Sequence, residues 1–144
     1  MHTNRIARQA LQWLVLFLSV TAVGGGLGIL LGWIPLPLEI LPGSLFADYT
    51  IPGFSLLLIV SGLGMIATSA LRRHSPLGLP ASFLAGFSTM IFETVEIVVI
   101  GWHWLQGVYF AVGLLIAVLT VRLWMAEQRG QQRPWATLRP QRDG

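Results

Sequence analysis

The sequence predicts an all-α integral membrane protein, a four-helix bundle with both termini in the cytoplasm. Three observations support this fold class. Of the 144 residues, 54% are hydrophobic and only 10% are charged, whereas about 25% of the residues of an average soluble protein are charged. Four apolar runs are each long enough to cross a bilayer as a helix. All nine arginines fall on one side of the resulting topology.

The composition also excludes several classes of protein. So little charge cannot cover the surface of a water-soluble enzyme, and so apolar a chain is not intrinsically disordered. With no cysteine, the chain has neither disulfides nor thiolate metal sites. The net charge of +3 comes from arginines at predicted helix ends. We therefore expect anionic lipid headgroups, and no nucleic acid, as partners of these arginines.

The first predicted span covers about residues 11–32, within an uncharged run from residue 9 to residue 34. Arg5 and Arg8 precede this run, which leaves a cleaved signal peptide as the alternative. Because the apolar run is longer than the hydrophobic region of a typical signal peptide, we predict a retained helix.

A proline-rich loop, residues 33–52, separates the first span from the second. Its four prolines forbid a continuous helix there; they are Pro35, Pro37, Pro42 and Pro52. We expect Asp48 or Thr50 to cap the helix that follows.

Three further spans complete the predicted transmembrane domain, residues 1–125. They cover about residues 53–71, 81–101 and 105–124. The remaining residues, 126–144, are rich in Arg, Gln and Pro, and we predict that they form a disordered basic tail in the cytoplasm.

The arginines define the predicted topology. They precede the first span, lie between the second and third spans, and follow the fourth. The two loops on the opposite side contain no arginine, and the first of them carries Glu39 and Asp48 instead. By the positive-inside rule, both termini are cytoplasmic.

Three glycines at a spacing of four, Gly24, Gly28 and Gly32, lie in the first span. Helices in lipid associate through close packing, so these glycines predict a helix-packing stripe. One interpretation is that the stripe packs against the other spans of the same chain. The alternative is a homo-oligomer interface.

Glu93 and Glu96 are the residues that a bilayer should exclude. We expect Glu93 near the middle of the membrane, in line with the small or polar residues Ala81, Ala85 and Thr89, on a face that points into the bundle. An ionised carboxylate at the bilayer centre costs about 2.5 kcal/mol or much more. Because two such carboxylates would also repel each other, we expect at least one to hold a proton or both to share a cation.

Three interpretations of this pair remain open. The first is a proton or cation site. The second is a catalytic pair, although the chain shows no nucleophile with a matching base. The third is a packing role, in which protonated glutamates hydrogen-bond to neighbouring helices. The candidate partners in the packing role are Gln12, Thr21, Ser61, Thr68, Ser69, Ser88 and Tyr109.

His103 could join the two glutamates. If the third helix continued past Gly101, His103 would return to the same face, and two carboxylates with an imidazole could bind a divalent cation. The alternative is an interfacial anchor between two tryptophans. Further candidates at the outer mouth of such a site are Asp48, Tyr49, Gln106 and Tyr109.

Three motifs carry a resemblance to a known family. They are Phe46-Ala47-Asp48-Tyr49-Thr50-Ile51-Pro52-Gly53, Val95-Glu96-Ile97, and Gln106 with Tyr109-Phe110 and Gly113. Over about residues 20–118 the chain resembles small, functionally uncharacterised bacterial four-helix integral membrane proteins. Those proteins often have a proline before the phenylalanine, where this chain has Leu45. The resemblance implies the four-helix architecture and places Asp48 and Glu96 on motif positions, but it implies no mechanism.

The sequence therefore predicts a small protein of the bacterial cytoplasmic membrane that binds or transports a proton or cation through Glu93 and Glu96. The alternative is a non-catalytic structural or assembly protein that binds partner helices through its glycine stripe. No motif predicts an enzymatic activity or a cofactor.

Overall fold

The computed structural model describes residues 2–35 and 48–131, and these residues form four long helices. The helices are α1 (His2–Leu30), α2 (Thr50–Arg72), α3 (Gly78–Ile100) and α4 (Trp104–Gln131). Each is long and apolar enough to cross a membrane. The all-helical fold class is therefore confirmed. The chain beyond Gln131 and the Phe46-Ala47 part of the loop motif lie outside the described residues.

Every helix is longer than its predicted span, and α1 and α4 differ most. Helix α1 begins at His2 rather than near residue 11, and α4 continues through residues 126–131, which the sequence assigned to a disordered tail. Arg8 Nη1 donates to Glu127 Oε1 at 3.1 Å across these two extensions. The first turns of α1 and the last turns of α4 therefore lie at the same end of the bundle.

Short turns connect α2 to α3 and α3 to α4. His74, with φ 51°, lies in the first turn, and Gly101, with φ 92°, follows the end of α3. A side chain at Gly101 would be strained, because L-residues rarely adopt a φ of this sign. Such short turns make consecutive helices antiparallel. Since α1 contacts both α2 and α4, the four helices close into a bundle.

Helix α2 changes its winding along its length. It is α-helical at Thr50–Phe54, π-helical at Ser55–Val60, and α-helical again at Ser61–Arg72. The carboxylate of Asp48 accepts a hydrogen bond from the backbone N–H of Thr50 at 3.0 Å, but the N-cap residue is Tyr49, so the prediction of Asp48 or Thr50 as the cap is wrong. The hydroxyl of Ser19 on α1 donates to the carbonyl oxygen of Ser61 at 3.0 Å, which ties α1 to α2 below the π-helical segment.

The interior of the bundle is small and partly polar, and its outside is large and apolar. Buried residues include Ala85, Ser82 and Thr120, whereas many Leu, Ile, Val, Phe and Trp side chains are exposed. The buried hydroxyls of Ser82 and Thr120 donate to carbonyl oxygens four residues back in their own helices. Their hydrogen-bonding capacity is therefore satisfied without a partner from another helix.

The backbones of α3 and α4 come into contact at Gly86 on α3 and Gly113 on α4. A Cβ atom at Gly86 would lie 2.6 Å from the carbonyl oxygen of Gly113, and one at Gly113 would lie 2.7 Å from that of Gly86. Real Cβ atoms do not come so near to backbone oxygens. Both positions therefore require glycine, which lets the two backbones touch.

The contact between α1 and α2 uses a glycine outside the predicted stripe. A Cβ atom at Gly26 would lie 3.0 Å from the carbonyl oxygen of Gly53. By contrast, Gly24 has open space, Gly28 faces Ile34 in the turn after α1, and Gly32 lies beyond the end of the helix with φ 69°. The stripe therefore does not join α1 to the other helices, and its use between chains stays a prediction.

We predict that Gly86→Ala destabilises the bundle by about 1–3 kcal/mol, because the added methyl group forces α3 away from α4. Gly62→Ala in α2 is the matched control, since a Cβ atom there has nothing within 4 Å. Thermal unfolding in detergent would measure both. Equal melting temperatures for the two variants would contradict the assigned contact.

Candidate functional site

One face of α3 is buried along most of the helix and ends at a carboxylate. Ala81, Ala85 and Thr89 are buried, and Glu93 follows them with only 6% of its surface exposed. The predicted alignment of these four residues on an inward face is confirmed. Two alanine methyl groups, one threonine side chain and one carboxylate therefore lie in a single row against the neighbouring helices.

Glu93 does not lie at the middle of its helix. It lies seven residues before Ile100, about 10 Å along the axis, and about 22 Å from Gly78 at 1.5 Å per residue. Glu96 lies still closer to Ile100. Both carboxylates thus belong to the end of the bundle that carries the α3–α4 turn.

The glycine contact determines which residue of α4 faces Glu93. From Gly86 and Gly113, seven residues along each antiparallel helix lead to Glu93 on α3 and to Gln106 on α4. These two residues therefore lie at about the same level. Gln106 is buried, with 7% of its surface exposed. It is the polar residue of α4 that the fold brings to the glutamates.

Gln106 links the α3–α4 turn to the glutamates. Its Oε1 atom accepts from the backbone N–H of His103 at 2.8 Å. The N–H donors of its amide remain, and the side chain lies close enough to the carboxylate of Glu96 to interact with it. The carboxylates of Glu93 and Glu96 are also close enough to repel each other when both are ionised. Gln106 thus holds one carboxylate of an interacting pair.

His103 does not join the glutamates in a metal site. Gly101 ends α3, so the premise of a continuous helix is wrong, and His103 instead lies directly before the first residue of α4. Its Nδ1 atom accepts from the backbone N–H of Leu105 at 3.3 Å, and its ring lies 5.8 Å from that of Trp104. Among residues 2–35 and 48–131, no three His, Asp or Glu side chains cluster closely enough to hold a metal ion.

Most of the polar side chains predicted as packing partners of the glutamates are engaged elsewhere. The hydroxyls of Thr21, Ser61, Thr68 and Ser88 each donate to carbonyl oxygens of their own helices. Their hydrogen atoms are therefore not available to Glu93. The cross-helix partner of the pair is Gln106, which the sequence assigned to the outer mouth and not to this role.

A cavity of about 310 Å³ lies between the start of α2 and the second half of α3. Its walls are almost entirely apolar, and Glu96 supplies the one ionisable carboxylate in them. Ser55, Ile59 and Val60 of the π-helical segment line the side formed by α2. Glu96 therefore borders the cavity on the side of α3, and the wider π-helical turns of α2 border it on the other side. Glu93 does not line it.

The four outer-mouth candidates have different positions. Tyr49 is buried and lines the cavity together with Glu96. Asp48 is exposed and accepts a hydrogen bond from the backbone N–H of Thr50, and Tyr109 packs half-buried against the hydrophobic core. Tyr49 and Gln106 are therefore the two candidates that the fold brings to Glu96.

Comparisons with protein-family models, with curated proteins and with solved structures found no match to this chain.

We predict that Gln106→Leu destabilises the protein by about 1–3 kcal/mol, because it leaves the part-buried N–H of His103 and the carboxylate of Glu96 without their partner. Gln128→Leu, at an exposed position of the same helix, is the control and should change stability little. Thermal unfolding of both variants in detergent checks this. A Gln106→Leu variant as stable as Gln128→Leu would exclude a structural contribution from these bonds.

Proposed function

We propose that this chain is a small integral membrane protein of the bacterial cytoplasmic membrane in which Glu93 and Glu96 bind a proton or cation near the outer face. Such a site would serve a transport or channel subunit. The observation that carries the proposal is the carboxylate pair itself, held beside Gln106 at one end of an apolar bundle. Both termini would face the cytoplasm.

Tryptophans support the position of the bundle in a bilayer. Trp104 and Trp124 are exposed and lie twenty residues apart on α4, about 30 Å along the axis. Trp13 and Trp33 are likewise exposed and twenty residues apart in sequence. Exposed Trp is typical of the two membrane interfaces, and about 30 Å is the thickness of the hydrocarbon core between them.

This placement of the tryptophans at the two interfaces puts Glu93 and Glu96 close to the outer interface. Gln106, at the level of Glu93, lies two residues from Trp104, about 3 Å along α4. The cost of an ionised carboxylate is largest at the bilayer centre. At the outer interface the pair would exchange protons or cations with water more readily than at mid-membrane.

Charge balance explains why the pair needs a proton or cation. Two adjacent carboxylates repel each other, and partial burial strengthens the repulsion. Every arginine of the described helices lies in the end of the bundle opposite Gln106, as Arg8, Arg72 and Arg122 illustrate. The bundle therefore offers no cationic side chain to the pair, and the neutralising charge would come from solution.

The proposed topology can be tested with single cysteines, because the natural chain has none. We expect His103→Cys in intact cells to react with a membrane-impermeant maleimide, since it lies in the exposed α3–α4 turn. Ser75→Cys, in the α2–α3 turn, should react only after the membrane is permeabilised. The reverse pattern would contradict cytoplasmic termini.

The proposed proton site can be tested by infrared titration of the purified protein. We expect the wild type to show a protonated-carboxyl band that disappears as the pH rises, and we expect Glu93→Gln and Glu96→Gln each to remove part of it. Glu127→Gln, at the other end of the bundle, is the control, because its exposed carboxylate should not contribute to the same band.

The same variants separate binding from transport. In proteoliposomes under an imposed pH or cation gradient, wild type and Glu127→Gln should carry flux that Glu93→Gln and Glu96→Gln lose. Titration spectra identical in all four proteins would contradict the proposed site.

A further inference from the structure

We propose that the cavity between α2 and α3, here called the α2–α3 groove, binds an outer-leaflet lipid whose headgroup carries a primary ammonium, with Glu96 as its counter-charge. The inference rests on the proposed function for the orientation in the membrane and for cation binding at Glu96. It adds the class of the ligand.

The length of the groove suits an acyl chain. Along α3 it extends from Ser88 to Ile100, about 18 Å at 1.5 Å per residue. One leaflet contributes about half of a hydrocarbon core of roughly 30 Å. Because Trp104 lies about level with Val95, the groove therefore runs from the headgroup region at Ile100 to about 10 Å inside the outer leaflet at Ser88.

The groove opens sideways, toward the lipid. Its rim includes Ile51, Ile59, Ile91 and Val95, which are among the exposed apolar residues of the outer surface of the bundle. A hydrated ion gains nothing from such walls, because apolar groups cannot replace its water. A hydrocarbon chain fits them, and it reaches them from the bilayer without crossing water.

The ionisable groups of the groove lie toward its outer end. Glu96 and Tyr49 line it there, and Asp48 is exposed one residue beyond Tyr49. No arginine or lysine lies between residue 74 and residue 121 or between residue 9 and residue 71. This end is therefore acidic, which repels anionic headgroups and favours a cationic one.

An ammonium group matches Glu96 better than a cation without N–H donors does. It brings N–H donors, and a charge-assisted hydrogen bond to a carboxylate is about twice as strong as a neutral one. Gln106 interacts with the carboxylate of Glu96 from the side of α4. The lipid therefore does not have to orient this carboxylate toward the groove. Acyl chain and headgroup would thus bind at the same time.

The test is lipid binding to the purified full-length chain by native mass spectrometry. The probes are phosphatidylethanolamine, its N-acetylated derivative and phosphatidylglycerol, all with the same acyl chains. We expect phosphatidylethanolamine to bind at least about tenfold more tightly than the other two, because only it presents a free ammonium group to Glu96. This comparison uses the wild-type protein and so does not depend on the folding of any variant.

Two variants locate the binding. Glu96→Gln should remove the preference for phosphatidylethanolamine and keep the weak binding of all three lipids. Val95→Trp, at the rim of the groove, should weaken all three. The controls are Glu127→Gln and Val98→Trp, the latter an exposed position of α3 outside the groove, and both should bind as wild type does.

The outcomes separate this inference from the proposed function. Equal binding of the three lipids by wild type would overturn the inference, even if infrared titration showed the proton site. A preference that Glu96→Gln removes would support the inference, even if the titration showed no proton site. Disulfide cross-linking of Val95→Cys between two copies in lipid would overturn it by assigning the groove to a second chain.

Discussion

The contact of α3 and α4 at Gly86 and Gly113 is the constraint on which the rest of the candidate site depends. Two backbones that touch cannot slide past each other, because a shift of one residue would put a side chain where only glycine fits. The contact therefore sets the level of Gln106 relative to Glu93. The packing of Gly86 against Gly113 thus determines the position of Gln106 beside the glutamates about 10 Å away, because the helical segments that connect these residues are rigid.

Much of the fold could be predicted from residue patterns, because long apolar runs permit few structures. A backbone in lipid would have to satisfy its own hydrogen bonds, so the four apolar runs predicted four long helices, which the structure contains. The inward face of α3 followed from the alignment of Ala85, Thr89 and Glu93. These features depend on local sequence and on the period of a helix.

The features that could not be predicted depend on contacts between segments. The exclusion of His103 from the pair depends on the turn at Gly101, whose φ no periodicity reveals. The use of Gly26 rather than Gly24 depends on the rotation of α1 about its axis, which is set by α2. Likewise, the partnership of Gln106 with Glu96 required the register of α3 against α4.

The π-helical segment Ser55–Val60 gives α2 two independent halves. A π-helix has more residues per turn than an α-helix, so a π-helical stretch holds an additional residue compared with an α-helix of the same length along the axis. Removing one residue there would restore α-helical winding and rotate Tyr49 and Pro52 by about 100° relative to Ser61. The lower half would keep its contacts with α1, while the wall opposite Glu96 would be made of different side chains. The number of residues in the π-helical segment thus determines which side chains of α2 face Glu96.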